Sequence, residues 1–271
     1  MEKVKKQNHD YQKIKEQKDL TFNGMSATEW AKHSKSVYKD IPPMRENDHF
    51  DDMKIIPLEL IDRLINIYSK EDDKILDPFM GSGTTIISGI RNNRFCYGFE
   101  INPKYFEYAR NNIESSLNLL VNGDYKIFND DCLEGLKEVN DNSTQLTLTS
   151  LSLPIHKRKK KYEYDLRIFD NLTYDEYLSR LEEVLKEIYR VTKVNGYVAL
   201  IVEDYRNIKD DIPYVEFHSD VAKVGQKVGF LYQDVIIYDH NDQRGLLLQG
   251  YPKIFYANLN HDYIVILRKA K

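Results

Sequence analysis

The stretch from residue 74 to residue 85, KILDPFMGSGTT, constrains the fold of this chain more than any other. Its apolar beginning is typical of the end of a buried strand, Gly81 and Gly83 lie in a turn, and a helix is predicted to begin at Thr84. Glycines can adopt positive φ and let a ligand approach the backbone, and the free N–H groups of a new helix face the same place. The stretch therefore predicts a binding cradle for a small molecule.

Strands and helices are predicted to alternate along the rest of the chain. After the first strand, further strands are predicted at residues 95–100, 125–128, 146–149, 197–202, 233–238 and 262–267. Helices are predicted at residues 27–37, 58–69, 103–120, 132–139, 174–191 and 217–228. Such alternation is typical of an α/β fold with a doubly wound, mostly parallel sheet. The long segment between the last two strands predicts a functional insertion.

Length and composition limit the class of protein. The 271 residues fit an N-terminal arm with short helices (1–50) and one main domain (51–271) with insertions at 154–172 and 239–260. A net charge of -4 and a pI of about 6.0 give no global attraction to nucleic acid, so such binding would need a local patch. Two cysteines argue against a disulfide framework or a metal cluster, and no apolar run reaches membrane-span length. We expect a cytoplasmic protein without a metal.

Acidic residues follow three successive predicted strands. Ligands of open α/β sheets bind beyond the carboxyl ends of the strands, where Asp77, Glu100 and Asp131 are expected to meet. An acid about 20 residues past the first glycine is suited to ribose hydroxyls, which assigns Glu100. Asp77 would repel a pyrophosphate but stabilise a sulfonium or an ammonium, which favours S-adenosylmethionine over NAD. The structural alternative is that such acids only cap helices, and an NAD-dependent oxidoreductase is a distant alternative.

Several segments together resemble the amino-methyltransferases of DNA, which methylate the N6 of adenine or the N4 of cytosine. Residues 77–85, DPFMGSGTT, are similar to the family's cofactor motif. The other similar segments, from about Trp30 to Lys269, are residues 57–65, 97–105, 131–136, 190–197 and 261–269. The resemblance implies a Rossmann-like methyltransferase fold with an antiparallel last strand, and S-adenosylmethionine as cofactor. It implies cofactor contacts from Pro57, Asp77, Pro78, Phe79, Gly81, Gly83, Thr84, Thr85, Glu100, Ile101, Asp131 and Cys132, with Asp131 facing the adenine.

The catalytic motif of the family departs from its usual form here. In the family, Asp/Asn/Ser-Pro-Pro-Tyr/Phe follows the fourth strand, accepts both hydrogens of the target amine and stacks its ring on the flipped base. This chain has Ser150-Leu151-Ser152-Leu153, and an alignment shifted to Ser152 also lacks the ring. Ser150 and Ser152 are the catalytic candidates, and a serine resembles the cytosine-N4 branch more than the adenine-N6 branch. A catalytically impaired partner subunit and a methyltransferase acting on RNA or protein are the alternatives.

A basic run follows directly after this motif. It is the local patch that an acidic protein would need to contact DNA phosphates, and its tyrosine could stack on a base. The candidate residues are Lys157, Arg158, Lys159, Lys160, Lys161 and Tyr162. The alternative is a solvated loop. We expect double-stranded DNA with a flipped base as substrate, in the nucleoid of a prokaryote, and leave open a protein partner or a homodimer. His218, Ser219 and Asp220 are adjacent and cannot form a triad.

Overall fold

A computed structural model describes residues 23–42, 49–50, 53–117, 124–152, 172–207, 212–240 and 256–271. Its strands are β1 (Val37–Tyr38), β2 (His49–Phe50), β3 (Met53–Lys54), β4 (Lys74–Asp77), β5 (Phe95–Phe99), β6 (Tyr125–Phe128), β7 (Thr144–Ser150), β8 (Thr192–Val202), β9 (Tyr205–Asn207), β10 (Ile212–Val215), β11 (Leu231–Asp239) and β12 (His261–Arg268). Its helices are α1 (Ala27–His33), α2 (Leu58–Tyr68), α3 (Thr84–Arg91), α4 (Pro103–Leu117), α5 (Cys132–Gly135), α6 (Tyr174–Val191) and α7 (Phe217–Val228).

A central sheet contains eight of these strands, in the order β1-β11-β12-β8-β7-β4-β5-β6. The neighbours from β6 to β8 pair in parallel, whereas β12 pairs antiparallel with both β8 and β11. The predicted doubly wound sheet with an antiparallel last strand is therefore confirmed. Because β12 runs in the opposite direction, its first residues lie at the edge where β4 to β8 and β11 end. We call this edge the carboxyl edge.

Helices cover both faces of the sheet, which explains why β8 is almost wholly apolar from Tyr197 to Val202. On β8, Ala199 and Ile201 pack in one buried cluster with residues of α2 and α3, whereas Val198 and Leu200 pack in a second cluster with residues of α6 and α7. The side chains of a strand alternate between the two faces, so each cluster takes every second residue. The long amphipathic α6 begins at a capping box formed by Thr173 and Glu176.

Two predicted helices end earlier than expected. The helix predicted at residues 27–37 begins with a capping box formed by Ser26 and Glu29 but ends at His33, because Val37–Tyr38 forms a parallel strand beside β11. The helix predicted at 132–139 ends at Gly135 and continues as one 3-10 turn, Leu136–Glu138. A Cβ at Gly135 would lie 2.3 Å from the Phe99 ring, so this turn packs closely against β5. The end of the helix predicted at 103–120 lies outside the described residues.

The segment between β11 and β12 leaves and rejoins the carboxyl edge at adjacent points. The His240 N–H donates to the Asn260 carbonyl oxygen at 2.8 Å, and His240 Nε2 lies 3.0 Å from Asp262 Oδ1. Both side chains of the second contact are buried. β12 begins at His261, one residue before the predicted start of this strand. Most of the predicted insertion at 239–260 lies outside the described residues.

Candidate functional site

The predicted cradle lies between β4 and α3 and depends on two glycines with positive φ. Gly81 has φ +52° and Gly83 has φ +80°, and α3 begins at the next residue, Thr84. A Cβ at Gly83 would lie 3.1 Å from Ile113 Cδ1, and one at Gly81 would lie 3.1 Å from Met53 Sδ. Side chains at these positions would therefore both strain the backbone and crowd their neighbours. The first turn of α3 leaves its N–H groups directed into this cradle.

A buried carboxyl group forms the floor of the cradle. Asp77 is the last residue of β4 and only 3% exposed. Burial raises its pKa to about 6, although the nearby Thr149 and Thr85 hydroxyls and the Phe79 N–H oppose that rise. The Phe79 N–H lies 3.2 Å from Asp77 Oδ1. In the described part of the chain this carboxyl forms no ion pair, so a ligand cation would stabilise its charged form.

A second acid is held against the glycine turn. Glu100 follows β5, and its Oε2 accepts a 3.0 Å hydrogen bond from the Gly81 N–H, whereas Oε1 accepts one of 2.9 Å from the Asn102 N–H. The structure thus brings Glu100 and the turn after β4 together, as the strand-end rule predicts. A carboxylate has about four lone-pair sites, so both oxygens retain capacity to accept bonds from ribose hydroxyls.

The third acid has structural contacts of its own. Asp131 is the N-cap of α5, where it accepts a 2.9 Å hydrogen bond from the Leu133 N–H. Its Oδ2 lies 3.3 Å from Arg180 Nη2 of α6. This is the capping arrangement that the structural alternative describes, and a contact with the cofactor adenine stays a prediction.

The remaining predicted cofactor residues surround the same edge. Pro57 precedes α2, and its carbonyl oxygen accepts hydrogen bonds from the first turn of that helix. Ile101 follows Glu100, and its carbonyl oxygen accepts a 3.2 Å bond from Asn129. Cys132 is buried at the start of α5, and burial raises the pKa of its thiol. The others lie in the turn after β4 and in the first turn of α3; they are Pro78, Phe79, Thr84 and Thr85. Their roles stay predictions.

The altered catalytic motif lies one strand away, because β7 pairs with β4. Ser150 is the last residue of β7 and pairs with Ile201 of β8. The ladder continues for one more residue, since the Leu151 N–H donates a 3.0 Å hydrogen bond to the Ile201 carbonyl oxygen. Leu151 is buried in the core, whereas Ser152 is exposed. Leu153 and the basic run, residues 157–162, lie outside the described residues.

A polar cluster at the end of β8 was not predicted. Asp204 accepts a 2.8 Å hydrogen bond from the Tyr214 hydroxyl, and both of its oxygens lie 2.8 Å from His218 Nδ1. The His218 ring stacks on the Tyr263 ring with centroids 3.9 Å apart. Asp204 is the second residue after β8, so the strand-end rule that selects Asp77 could have indicated this cluster.

The described residues support neither a metal site nor a membrane-spanning helix. They contain no group of three or more His, Cys, Asp or Glu side chains placed to bind a metal ion. Within the same ranges, no helix has the length and apolar character needed to cross a membrane.

Comparison with known families shows to which protein family the chain belongs. The family model described as DNA methylase, N6_N4_Mtase, matches residues 1–111 and 146–271. The chain belongs to this DNA methylase family. The prediction of amino-methyltransferase membership is thereby confirmed, and so is S-adenosylmethionine, the cofactor of the family. The match includes Asp77, Glu100 and Ser150, whereas Asp131 and Cys132 lie in the unmatched stretch.

Curated relatives of this methylase match it over shorter segments. The type II methyltransferase M.BglI of Bacillus subtilis is 38% identical over 93 residues, which are 34% of this chain and 26% of the relative. M.Cfr9I of Citrobacter freundii is 30% identical over 112 residues, 41% of this chain and 34% of the relative. The matched segments thus span about a quarter to a third of these relatives.

A solved structure with the same fold is the precorrin-6y C5,15-methyltransferase of Geobacter metallireducens GS-15. It is 15% identical and covers 86% of this chain and 100% of its own, with a TM-score of 0.50. At this identity the likeness concerns the fold alone.

Proposed function

We propose that this protein is a DNA methyltransferase that transfers the methyl group of S-adenosylmethionine to an exocyclic base amine, with cytosine N4 favoured over adenine N6. The observation that carries the proposal is the buried Asp77 at the floor of the glycine cradle, beside the strand that ends at Ser150. Family membership supports the reaction class.

The residues of the cradle fit this cofactor. Asp77 is a buried acid without an ion-pair partner in the described ranges, and Glu100 is held at the glycine turn. Asp77 would hold the cationic end, and Glu100 the ribose hydroxyls. When bound, the cofactor supplies an electrophilic methyl group on a sulfonium. Positioning the amine in line with that methyl group is then the main task of the protein.

Ser150 and the backbone after it would orient the amine. An exocyclic amine is a poor nucleophile because its lone pair is delocalised into the ring, and hydrogen-bond acceptors for its two N–H groups help to localise that pair. The Ser150 hydroxyl is one such acceptor and the carbonyl groups that follow it are others. Such an arrangement requires a base rotated out of double-stranded DNA, where it is accessible to a recessed site. The predicted basic run would contact the DNA backbone, in the cytoplasm of a prokaryotic cell.

The test is methyl transfer from labelled S-adenosylmethionine to bulk unmethylated DNA, followed by digestion to nucleosides. We expect label in N4-methylcytosine, and loss of labelling in Asp77→Ala. Asp175→Ala is the matched control, because Asp175 is an exposed acid at the start of α6. Label in N6-methyladenine would identify adenine as the target base. Label only in RNA or protein, offered in parallel reactions, would overturn the DNA assignment.

A second candidate function is a catalytically impaired partner subunit. Leu151 favours it, since this residue is buried and donates to Ile201 in the sheet at the position where the family has a proline. Cofactor binding measured by calorimetry, without any transfer by the isolated protein, would support this candidate. Restoration of Pro-Pro-Tyr at residues 151–153 tests it further, although the first proline would remove the bond to Ile201.

A further inference from the structure

The hairpin of β9 and β10 rises from the carboxyl edge beside the altered catalytic motif. Ser150 pairs with Ile201, and the hairpin begins at Tyr205, four residues further along the chain. Its strands pair antiparallel, with Val215 opposite Tyr205. The hairpin is therefore anchored next to the position where the family places its stacking ring.

One aromatic ring of the hairpin is both exposed and fixed. Tyr214 is 40% exposed. Its hydroxyl donates a 2.8 Å hydrogen bond to Asp204, a buried acid that also accepts from the His218 backbone N–H at 3.0 Å. A ring held by its hydroxyl loses little further freedom when it binds a flat partner. Exposed, fixed rings of this kind are suited to stacking on an unpaired base.

A cation lies beside that ring. The Arg206 guanidinium carbon lies 5.7 Å from the Tyr214 ring centroid and 5.2 Å from the Tyr256 ring centroid. Its Nε is buried and has no hydrogen-bond partner, and Arg206 forms no ion pair within the described ranges. A buried donor without an acceptor is costly, so this arrangement favours an acceptor brought by a ligand. The planar guanidinium is well suited to a phosphate.

We propose that Tyr214 and Arg206 form a nucleotide-binding pair of the acceptor site, in which the Tyr214 ring stacks on an unpaired base of the bound DNA strand and Arg206 binds a backbone phosphate beside it. Asp204 is a positioning residue that holds the ring. The pair supplies a stacking surface that the Leu151-Ser152-Leu153 sequence lacks. This inference rests on the proposed action on DNA.

The first test is binding of a fluorescein-labelled single-stranded oligodeoxynucleotide, measured by polarisation. Removal of the ring in Tyr214→Ala should weaken binding by about 5- to 100-fold, the usual range for one stacked base. Tyr214→Phe keeps the ring and should retain most of the affinity. The matched control is Tyr232→Ala, because Tyr232 is 39% exposed and lies near the start of β11, at the opposite edge of the sheet.

Salt dependence separates the two members of the pair. Arg206→Gln should reduce the slope of log K against log salt by about 0.7, the value for one phosphate contact on single strands. Tyr214→Ala should leave that slope unchanged, because stacking releases no counterion. An unchanged slope in Arg206→Gln would overturn the phosphate contact.

A third measurement does not depend on the folding of Tyr214→Ala. Tyr214→Trp in a Trp30→Phe background, which removes the single native tryptophan, introduces an indole whose emission should be quenched by the oligodeoxynucleotide. An unquenched indole, or equal affinities of Tyr214→Ala and Tyr232→Ala in a protein that methylates DNA, would overturn this inference alone. If the unaltered protein neither binds nor methylates DNA, the proposed function falls, and this site with it.

Discussion

The hydroxyl of Tyr177 donates a 2.9 Å hydrogen bond to the carbonyl oxygen of Ser152. Tyr177 is fully buried on α6, and its ring packs edge-on against Phe217 with centroids 5.6 Å apart. The family fixes the same stretch of backbone with two prolines, which restrict φ covalently. Here a helix side chain fixes the backbone from outside, through one hydrogen bond.

Tyr177→Phe should therefore damage catalysis more than folding. Loss of one hydrogen bond costs about 1 kcal/mol of stability, whereas a looser Ser152 backbone should lower kcat for methyl transfer by about tenfold. The Kd for S-adenosylmethionine should not change. Tyr189→Phe is the control, because Tyr189 lies on the same helix and its hydroxyl also donates to a main-chain oxygen, that of Lys271, at 3.0 Å. Equal kcat values in the two variants would contradict the positioning role.

Asp77→Asn should stabilise the protein in alkaline solution. Burial raises the pKa of Asp77 from 3.8 to about 6, so the folded state binds this proton more tightly than the unfolded state. The stabilising contribution of the protonated group is complete below about pH 4 and is lost as the pH rises through 6. We expect the variant to gain up to about 3 kcal/mol near pH 8, relative to the unaltered protein, and nothing near pH 4. Urea unfolding over this pH range measures the difference, and a less stable variant near pH 8 would contradict it.

Asp77 and Glu100 should respond differently to the charge of the ligand. Asp77→Asn should weaken S-adenosylmethionine about tenfold more than S-adenosylhomocysteine, because only the former carries the sulfonium charge. Glu100→Gln should weaken both ligands equally, since both contain the same ribose. Calorimetry with the two ligands measures these ratios. A reversed pattern would exchange the two assignments.

Gly83→Ala should destabilise the protein more than Gly24→Ala. The two glycines have similar φ values, +80° and +72°, so each substitution strains the backbone by about 1–2 kcal/mol. A Cβ at Gly24 meets nothing within 4 Å, whereas one at Gly83 lies 3.1 Å from Ile113. The expected excess is about 1–3 kcal/mol in thermal or urea unfolding, with reduced cofactor affinity. Equal losses would show that α4 adapts to the extra methyl group.

Much of the fold could be read from local sequence signals. Helices Tyr174–Val191 and Phe217–Val228 and strand Tyr125–Phe128 have the predicted bounds. Amphipathic spacing defines both helices, and α6 also has an N-terminal cap, so their signals are local. The strand Val37–Tyr38 could not be predicted, because its partner is β11, some 200 residues away along the chain.

The candidate site likewise contains some contacts that the sequence predicts and others that it does not. The convergence of Asp77 and Glu100 follows from one topological rule, since each acid ends a parallel strand. The bond from Tyr177 to Ser152 could not be inferred, because it depends on how α6 packs across the sheet. The link from Tyr214 to Asp204 was missed because β9 and β10 are too short for a periodic pattern.

The junction of His240 with Asn260 and Asp262 has an evolutionary consequence. These contacts hold the two ends of the segment between β11 and β12 together at the carboxyl edge. The framework therefore already closes this loop. The entropic cost of a longer segment then grows only slowly with length. Segments of different sequence and length can therefore be grafted at this junction without disturbing the sheet or the cofactor site.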